Sequence, residues 1–217
     1  MPRISAASVA EHVAAQEAAV VRAAVALIAE RGFERVTMAD VAEAVGLKRN
    51  SLYRYVPDKG HLLGLWIRSE MQPVLDSARR IAASDDPAEV RLDRWVGSQF
   101  DLLIQPSHRQ LLAAAASGLP DDVAEAVGRD HRALYGTLQT VIGACRPDDS
   151  HDRVADLATL VIGMTRAAAE AAEEHSANGL RSILLEASTA VVIRRRAPRP
   201  VPAEAPERPR RFSAEHR

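Results

Sequence analysis

Lysine is almost missing from this 217-residue chain: only Lys48 and Lys59 occur. Cysteine is rarer still. The single Cys145 excludes an intrachain disulfide and suits a reducing compartment; alone, it reads as a small buried hydrophobe. Aromatic residues make up 4%, so any core is built from Ala, Leu, Val and Ile. No apolar run approaches the roughly 20 residues of a membrane span. The opening M-P-R-I-S-A-A-S lacks the apolar stretch of a secretory signal. The expected setting is the cytoplasm, with no membrane partner. Catalytic signatures are missing too. The seven histidines have no H-E-x-x-H or C-x-x-C company, and G-x-S-x-G, the P-loop and the dinucleotide fingerprint do not occur. Glu173, Glu174 and His175 read as a surface patch. The sequence therefore predicts no enzyme, no cofactor and no metal site.

What is present is an ordinary globular composition, 47% hydrophobic and 26% charged, with one unusual stretch from Thr37 to Lys59. Thr37 and Asp40 form a T-x-x-D start like a capping box. Met38, Val41, Ala42 and Val45 then recur at helical spacing. Gly46 permits a sharp turn, Leu47 supplies an apolar plug, and small Ala42 lets a second helix cross closely. That helix, about 49–55, buries Leu52 and Val56 and turns Arg49, Asn50, Tyr53, Arg54 and Tyr55 outward. From Gly46 to His61 there are four bases against one acid, in a chain whose net charge is −1. A short, locally basic helix after a tight turn is helix-turn-helix logic, and a major groove could receive it.

The remaining chain reads as helical throughout. A first helix opens on Ser8 with Glu11 and ends at Gly32, with Val13, Val20, Ala24 and Leu27 as its stripe. Phe33 and Val36 close a small core. A fourth helix starts at Asp58, and Pro73 is expected to end or kink it. Further helices open at Asp86-Pro87, at Ser107 with Gln110, and at Asp122 with Glu125. The last two cover about 152–175 and 179–196, striped by Leu157, Leu160, Val161, Met164 and by Ile183, Leu184, Val191. The fold class is all-α with nine helices. The expected division is a DNA-binding domain at 1–57, a larger helical domain at 58–196, and a disordered basic, Pro-rich tail at 197–217.

Over about 10–67 the order A-L-I-A-E-R-G-F-E, T-M-A-D-V-A-E-A-V-G, L-K-R-N-S-L-Y-R-Y-V, P-D-K-G-H-L-L resembles the TetR family of transcriptional regulators. Lys48 stands where that family commonly has a capping Ser or Thr, and Val56 where it has Phe. The resemblance implies phosphate contacts at Thr37, Lys48, Tyr53 and Lys59. By chemistry, Arg49 can fork onto guanine and Asn50 onto adenine, with Arg54, Tyr55 and Ser51 as secondary readers. Tyr53 also reads as a core aromatic with its hydroxyl at the surface, and Arg54 as a solvated base. Arg3 reads first as part of an unstructured leader and the basic tail, including Arg194, Arg195 and Arg196, as a solvated terminus, with minor-groove entry and non-specific DNA attraction as their second readings.

The resemblance further implies a homodimer formed by the last two helices, a palindromic double-stranded operator, and a small-molecule effector that releases the protein from DNA through helix 4. The effector is unknown. Candidate pocket liners are the bulky Trp66, Met71, Trp95 and Phe100 and the polar-apolar His108, His131 and Tyr135; each also reads as plain core. The expected function is ligand-responsive repression. Two other readings stay open: a helical scaffold or interaction protein without operator binding, and an activator on the same fold.

Overall fold

The computed structural model describes residues 6–116 and 118–193; the expected tail, Arg3 and the arginines at 194–196 lie outside them. Among the described residues there are nine α-helices, one 3-10 turn and no strand. In chain order the helices are α1 (Ala6–Arg31), α2 (Met38–Ala44), α3 (Arg49–Leu52), α4 (Lys59–Ala83), α5 (Ala88–Leu103), α6 (Pro106–Ala115), α7 (Asp121–Cys145), α8 (His151–Ala171) and α9 (Ala177–Ile193). The all-α expectation holds.

The local chemistry of the first four helices is well determined. Gly32, at φ 79°, stops α1, and its N–H bonds the Ile28 carbonyl. Thr37 and Asp40 make the expected reciprocal cap of α2: Asp40 N–H donates to Thr37 Oγ1 at 3.2 Å and Thr37 N–H to Asp40 Oδ2 at 2.8 Å. Such a cap contributes about 1 kcal/mol. Gly46, at φ 68°, ends α2 in a Schellman arrangement. Its N–H bonds the Glu43 carbonyl at 3.0 Å, and Leu47 N–H bonds the Ala42 carbonyl at 2.8 Å. Asp58 caps α4 by accepting from His61 N–H at 2.9 Å.

Several boundaries differ from expectation, for physical reasons. α1 already runs from Ala6, so Ser8 lies inside it. α3 is shorter than expected: regular helix stops at Leu52, and 53–55 continue as tighter turns, with Tyr55 N–H bonding the Leu52 carbonyl. Pro73 does not end α4, which continues ten residues beyond it to Ala83. Pro73 and Ser69, whose carbonyl loses its partner, are both exposed, so water can satisfy that carbonyl. At α5 and α7, Pro87 and Pro120 occupy the cap position itself, one residue before the helix, and α6 starts at Pro106 instead of Ser107.

Two apolar cores result. The first gathers Val20, Ala24 and Ile28 of α1, Val41 and Ala42 of α2, and Leu52 and Val56 around α3. It extends past residue 57 through Leu62, Leu63, Trp66 and Ile67 of α4 and takes Leu111 and Ala114 from α6. The second lies among the far half of α4 and α5, α7, α8 and α9, centred on Leu92, Trp95, Phe100, Leu138, Ile142, Leu157 and Val161. α4 therefore belongs to both cores. Of the expected α1 stripe, Val20 and Ala24 are buried, Leu27 is half-buried and Val13 is exposed.

Candidate nucleic-acid interface and internal cavity

The helix-turn-helix is fixed from its inner side. Leu52 and Val56 are fully buried against α1 and α2. That anchorage sets the rotation of the 49–56 segment, so Lys48, Arg49, Asn50, Tyr53 and Arg54 all face solvent. Ser51 and Tyr55 are half-buried, and Tyr55 packs on the first core. Tyr53 is exposed and is not a core aromatic.

Four of the candidate contact residues already have partners. Arg49 Nε donates to Tyr53 Oη at 3.1 Å, and the guanidinium lies 5.7 Å from the Tyr53 ring centroid. The i,i+4 spacing brings the two together on one helical face. This leaves the terminal nitrogens of Arg49 and the hydroxyl hydrogen of Tyr53 free. Lys59 Nζ sits 4.2 Å over the Phe33 ring and donates to the Glu34 carbonyl at 3.3 Å. It thus pins the 33–35 turn to the start of α4. Thr37 Oγ1 donates to Asp40 Oδ2 at 2.7 Å; that bond, the Thr37 N–H and then nearby Arg31 hold the Asp40 carboxyl below its ordinary pKa. Lys48 occupies the cap position of α3 without a side-chain cap bond, so its ammonium is uncommitted there.

Behind this surface, α4 meets the start of α7 at close range. His61 Nδ1 lies 3.0 Å from Asp58 Oδ1 and its Nε2 3.3 Å from Asp122 Oδ2. The Asp58 hydrogen bond and the two carboxylate charges raise the His61 pKa against a partial burial cost, and Asp58 is lowered in turn by His61. The sequence shows nothing of this link, because its partners are far apart in the chain.

Farther along α4 a cavity of about 460 Å³ opens among α4, α5, α6, α7 and α8. Five of the seven expected liners reach it: Met71, Trp95, His108, His131 and Tyr135. Trp66 and Phe100 do not. Trp66 is sealed in the first core and Phe100 in the second. Helical rotation is the reason. Trp95, Gln99 and Leu102 follow at four- and three-residue steps down one face of α5, and Phe100, one residue on, is turned about 100° away. Sequence reasoning missed Gln99 and Thr165. Both are polar residues interrupting apolar stripes at i,i+4, which was the available signal.

The cavity's polar groups divide by depth. Gln99 and Thr165 are buried, and Thr165 Oγ1 donates to the Val161 carbonyl at 2.8 Å. His131 Nδ1 donates to the Val127 carbonyl at 2.9 Å, and its ring meets Tyr135 edge-on. His108 is lowered by burial and secondarily by His131. At the rim, Arg109 pairs with Glu173 at 3.2 Å and Arg166 donates to Tyr135 Oη at 2.8 Å. Among the described residues no His, Cys, Asp and Glu cluster could hold a metal ion, and no helix is long and apolar enough to cross a membrane.

Residues 20–64, from the middle of α1 into α4, match the family described as bacterial regulatory proteins, tetR family. No curated protein matches the chain. Its fold is shared with several solved structures. A TetR-family regulator from Mesorhizobium loti is 17% identical with a TM-score of 0.63, over 82% of this chain and 97% of that one. A transcriptional regulator from Saccharomonospora viridis, solved with choline, is 18% identical with a TM-score of 0.62, over 78% and 93%. The superantigen PfiT is 16% identical with a TM-score of 0.69, over 82% and 96%. At these identities the likeness speaks for fold alone. Residues 20–64 thus match the tetR family of bacterial regulatory proteins, and the chain shares the fold of solved TetR-family regulators.

Proposed function

We propose that the chain is a homodimeric transcriptional repressor, without enzymatic activity, that grips a palindromic operator with two copies of α3 and lets go when a small molecule fills the cavity. One observation carries the DNA-binding part. The inner side of 49–56 is locked by Leu52 and Val56, while Lys48, Arg49, Asn50, Tyr53 and Arg54 form one exposed, cationic face. Thr37, Lys48, Tyr53 and Lys59 take phosphates. Arg49 reads a guanine with its two terminal nitrogens, and Asn50 an adenine. Tyr53 is the positioning element for Arg49, since its oxygen holds Nε.

Two further observations support the rest. Leu160 on α8 and Ile183 on α9 are large apolar side chains left 55% and 63% exposed in one chain. A second copy seated there would cover them and set two recognition helices on one twofold axis, so that their affinities multiply. The cavity is bounded by α4, the helix that also packs on the helix-turn-helix, and a regulator of this fold was solved with choline.

The test is a band-shift titration on DNA flanking the chain's own gene, followed by a reporter assay. Arg49→Ala should relax preference at one base pair per half-site, at about 1–3 kcal/mol, while binding to scrambled duplex changes little. Deleting the gene should raise transcription from the bound promoter. A fall in transcription makes the protein an activator; no binding to any flanking duplex leaves the scaffold reading.

A further inference from the structure

Gln99 is 8% exposed and lines the cavity, and its side chain makes no hydrogen bond to any described residue. Its polar atoms are not sealed in protein but open onto the cavity, where two donors and an acceptor stay available to whatever fills it. Around it the deep wall is apolar or neutral. Trp95 Nε1 is committed to Thr137 Oγ1 at 2.8 Å, so Trp95 offers only its ring. Met71, Leu134 and Ala169 add apolar surface, and Thr165 has already given its hydrogen to a backbone carbonyl. Burial lowers the His108 pKa and so disfavours its charged form. The cavity's formal charges are confined to exposed or half-exposed rim residues, Arg109 and Arg166 against Glu170 and Glu173, and these cancel.

We propose that the effector is an uncharged, largely apolar small molecule that presents a carboxamide- or lactam-like edge, donor beside acceptor, to the Gln99 side chain. This rests on the reading of the cavity as the effector site. The reasoning is one of desolvation. An ionised group at the depth of Gln99 would leave water without meeting a counter-charge, because the only full charges lie at the rim. An amide edge would meet Gln99 in two parallel hydrogen bonds and leave the hydrophobic remainder against Trp95, Met71 and Leu134.

Naphthamide, naphthoate and naphthylmethylammonium are matched probes that differ mainly in charge at the polar end. In isothermal titration calorimetry on the full chain at pH 7.5, naphthamide should bind more tightly than the other two. Gln99→Leu should weaken naphthamide roughly tenfold, as expected for a lost hydrogen-bonded pair at a buried site, and leave naphthoate unchanged. Gln99→Met serves if the leucine variant does not fold by circular dichroism. Tighter binding of naphthoate or of the ammonium overturns the ligand class. Naphthamide binding that survives both substitutions overturns the role of Gln99, and absence of binding by all three probes overturns the proposal outright. A band shift with naphthamide separates the two readings. Gln99-dependent binding that fails to release operator DNA leaves the ligand class standing and sinks the effector role.

Discussion

Gly64 and Val123 leave no space between them: a Cβ built on Gly64 would lie 2.3 Å from Val123 Cγ1. Four residues earlier, a Cβ on Gly60 would lie 2.7 Å from Cδ of Pro120. Both glycines fall on the same face of α4, and the start of α7 rests directly on that face. Gly64→Ala should therefore force the helices apart, because β-branched Val123 has little rotamer freedom with which to yield. The expected loss is about 1–3 kcal/mol in urea unfolding. Adding Val123→Ala should recover part of that loss by clearing the clash. An unfolding midpoint for Gly64→Ala equal to the parent's would show that the crossing has slack.

His61 and His108 should tilt the stability–pH curve in opposite directions. The His61 pKa is raised on folding, so its contribution is complete below the unfolded value near 6.5 and fades as pH rises through the folded value. His108 is lowered, so its contribution is present above about 6.5 and is lost as pH falls through the folded value. Melting curves from pH 5 to 8 should show that His61→Gln removes stability mainly on the acid side. His108→Gln should make the protein less sensitive to acid. Parallel shifts of both variants at every pH would contradict this assignment.

Lys59 has a structural role beside any phosphate contact. Losing its ammonium removes the interaction over Phe33 and the bond to the Glu34 carbonyl, at about 0.5–1 kcal/mol for an exposed cation–π contact. Lys59→Ala should weaken operator and scrambled DNA alike and flatten the salt dependence by about one unit of slope. It should also lower the melting temperature. Lys48→Ala, which breaks no protein contact of the side chain at the cap, should weaken DNA binding without that thermal loss.

The outer faces of α8 and α9 carry the assembly prediction. Light scattering at micromolar concentration should give twice the 23.5 kDa of one chain. Placing a charge in the apolar face, as Ile183→Glu or Leu160→Glu, should return the protein to one chain and cost operator affinity through lost effective concentration. A parent that scatters as a single chain ends the dimer reading.

The helix-turn-helix was legible because its determinants are local. The Thr37–Asp40 cap, the Gly46 stop, and the apolar spacing that buries Val41, Leu52 and Val56 all lie within a few residues of what they control. The cavity was half legible. Bulk and amphipathic chemistry found Met71, Trp95, His108, His131 and Tyr135, yet could not tell Gln99 from Phe100, whose different fates depend on a rotation set by packing of α5 against the surrounding helices. The His61–Asp122 link and the Gly64–Val123 contact were hidden, since each joins α4 to α7 across more than fifty residues of chain. The run of α4 through Pro73 depended on the proline ring facing water, which is a tertiary fact.

Because Pro73 leaves α4 unbroken, its 25 residues form one rod about 37 Å long. A rod behaves as a lever. Pivoting at Met71, in the cavity wall, by about 10° would carry the Lys59 end, about 18 Å away, roughly 3 Å, close to the ~3.4 Å advance of one nucleotide along a strand. A small adjustment of a few side chains in the cavity wall is thereby carried to the scale of a misplaced reading frame on the duplex.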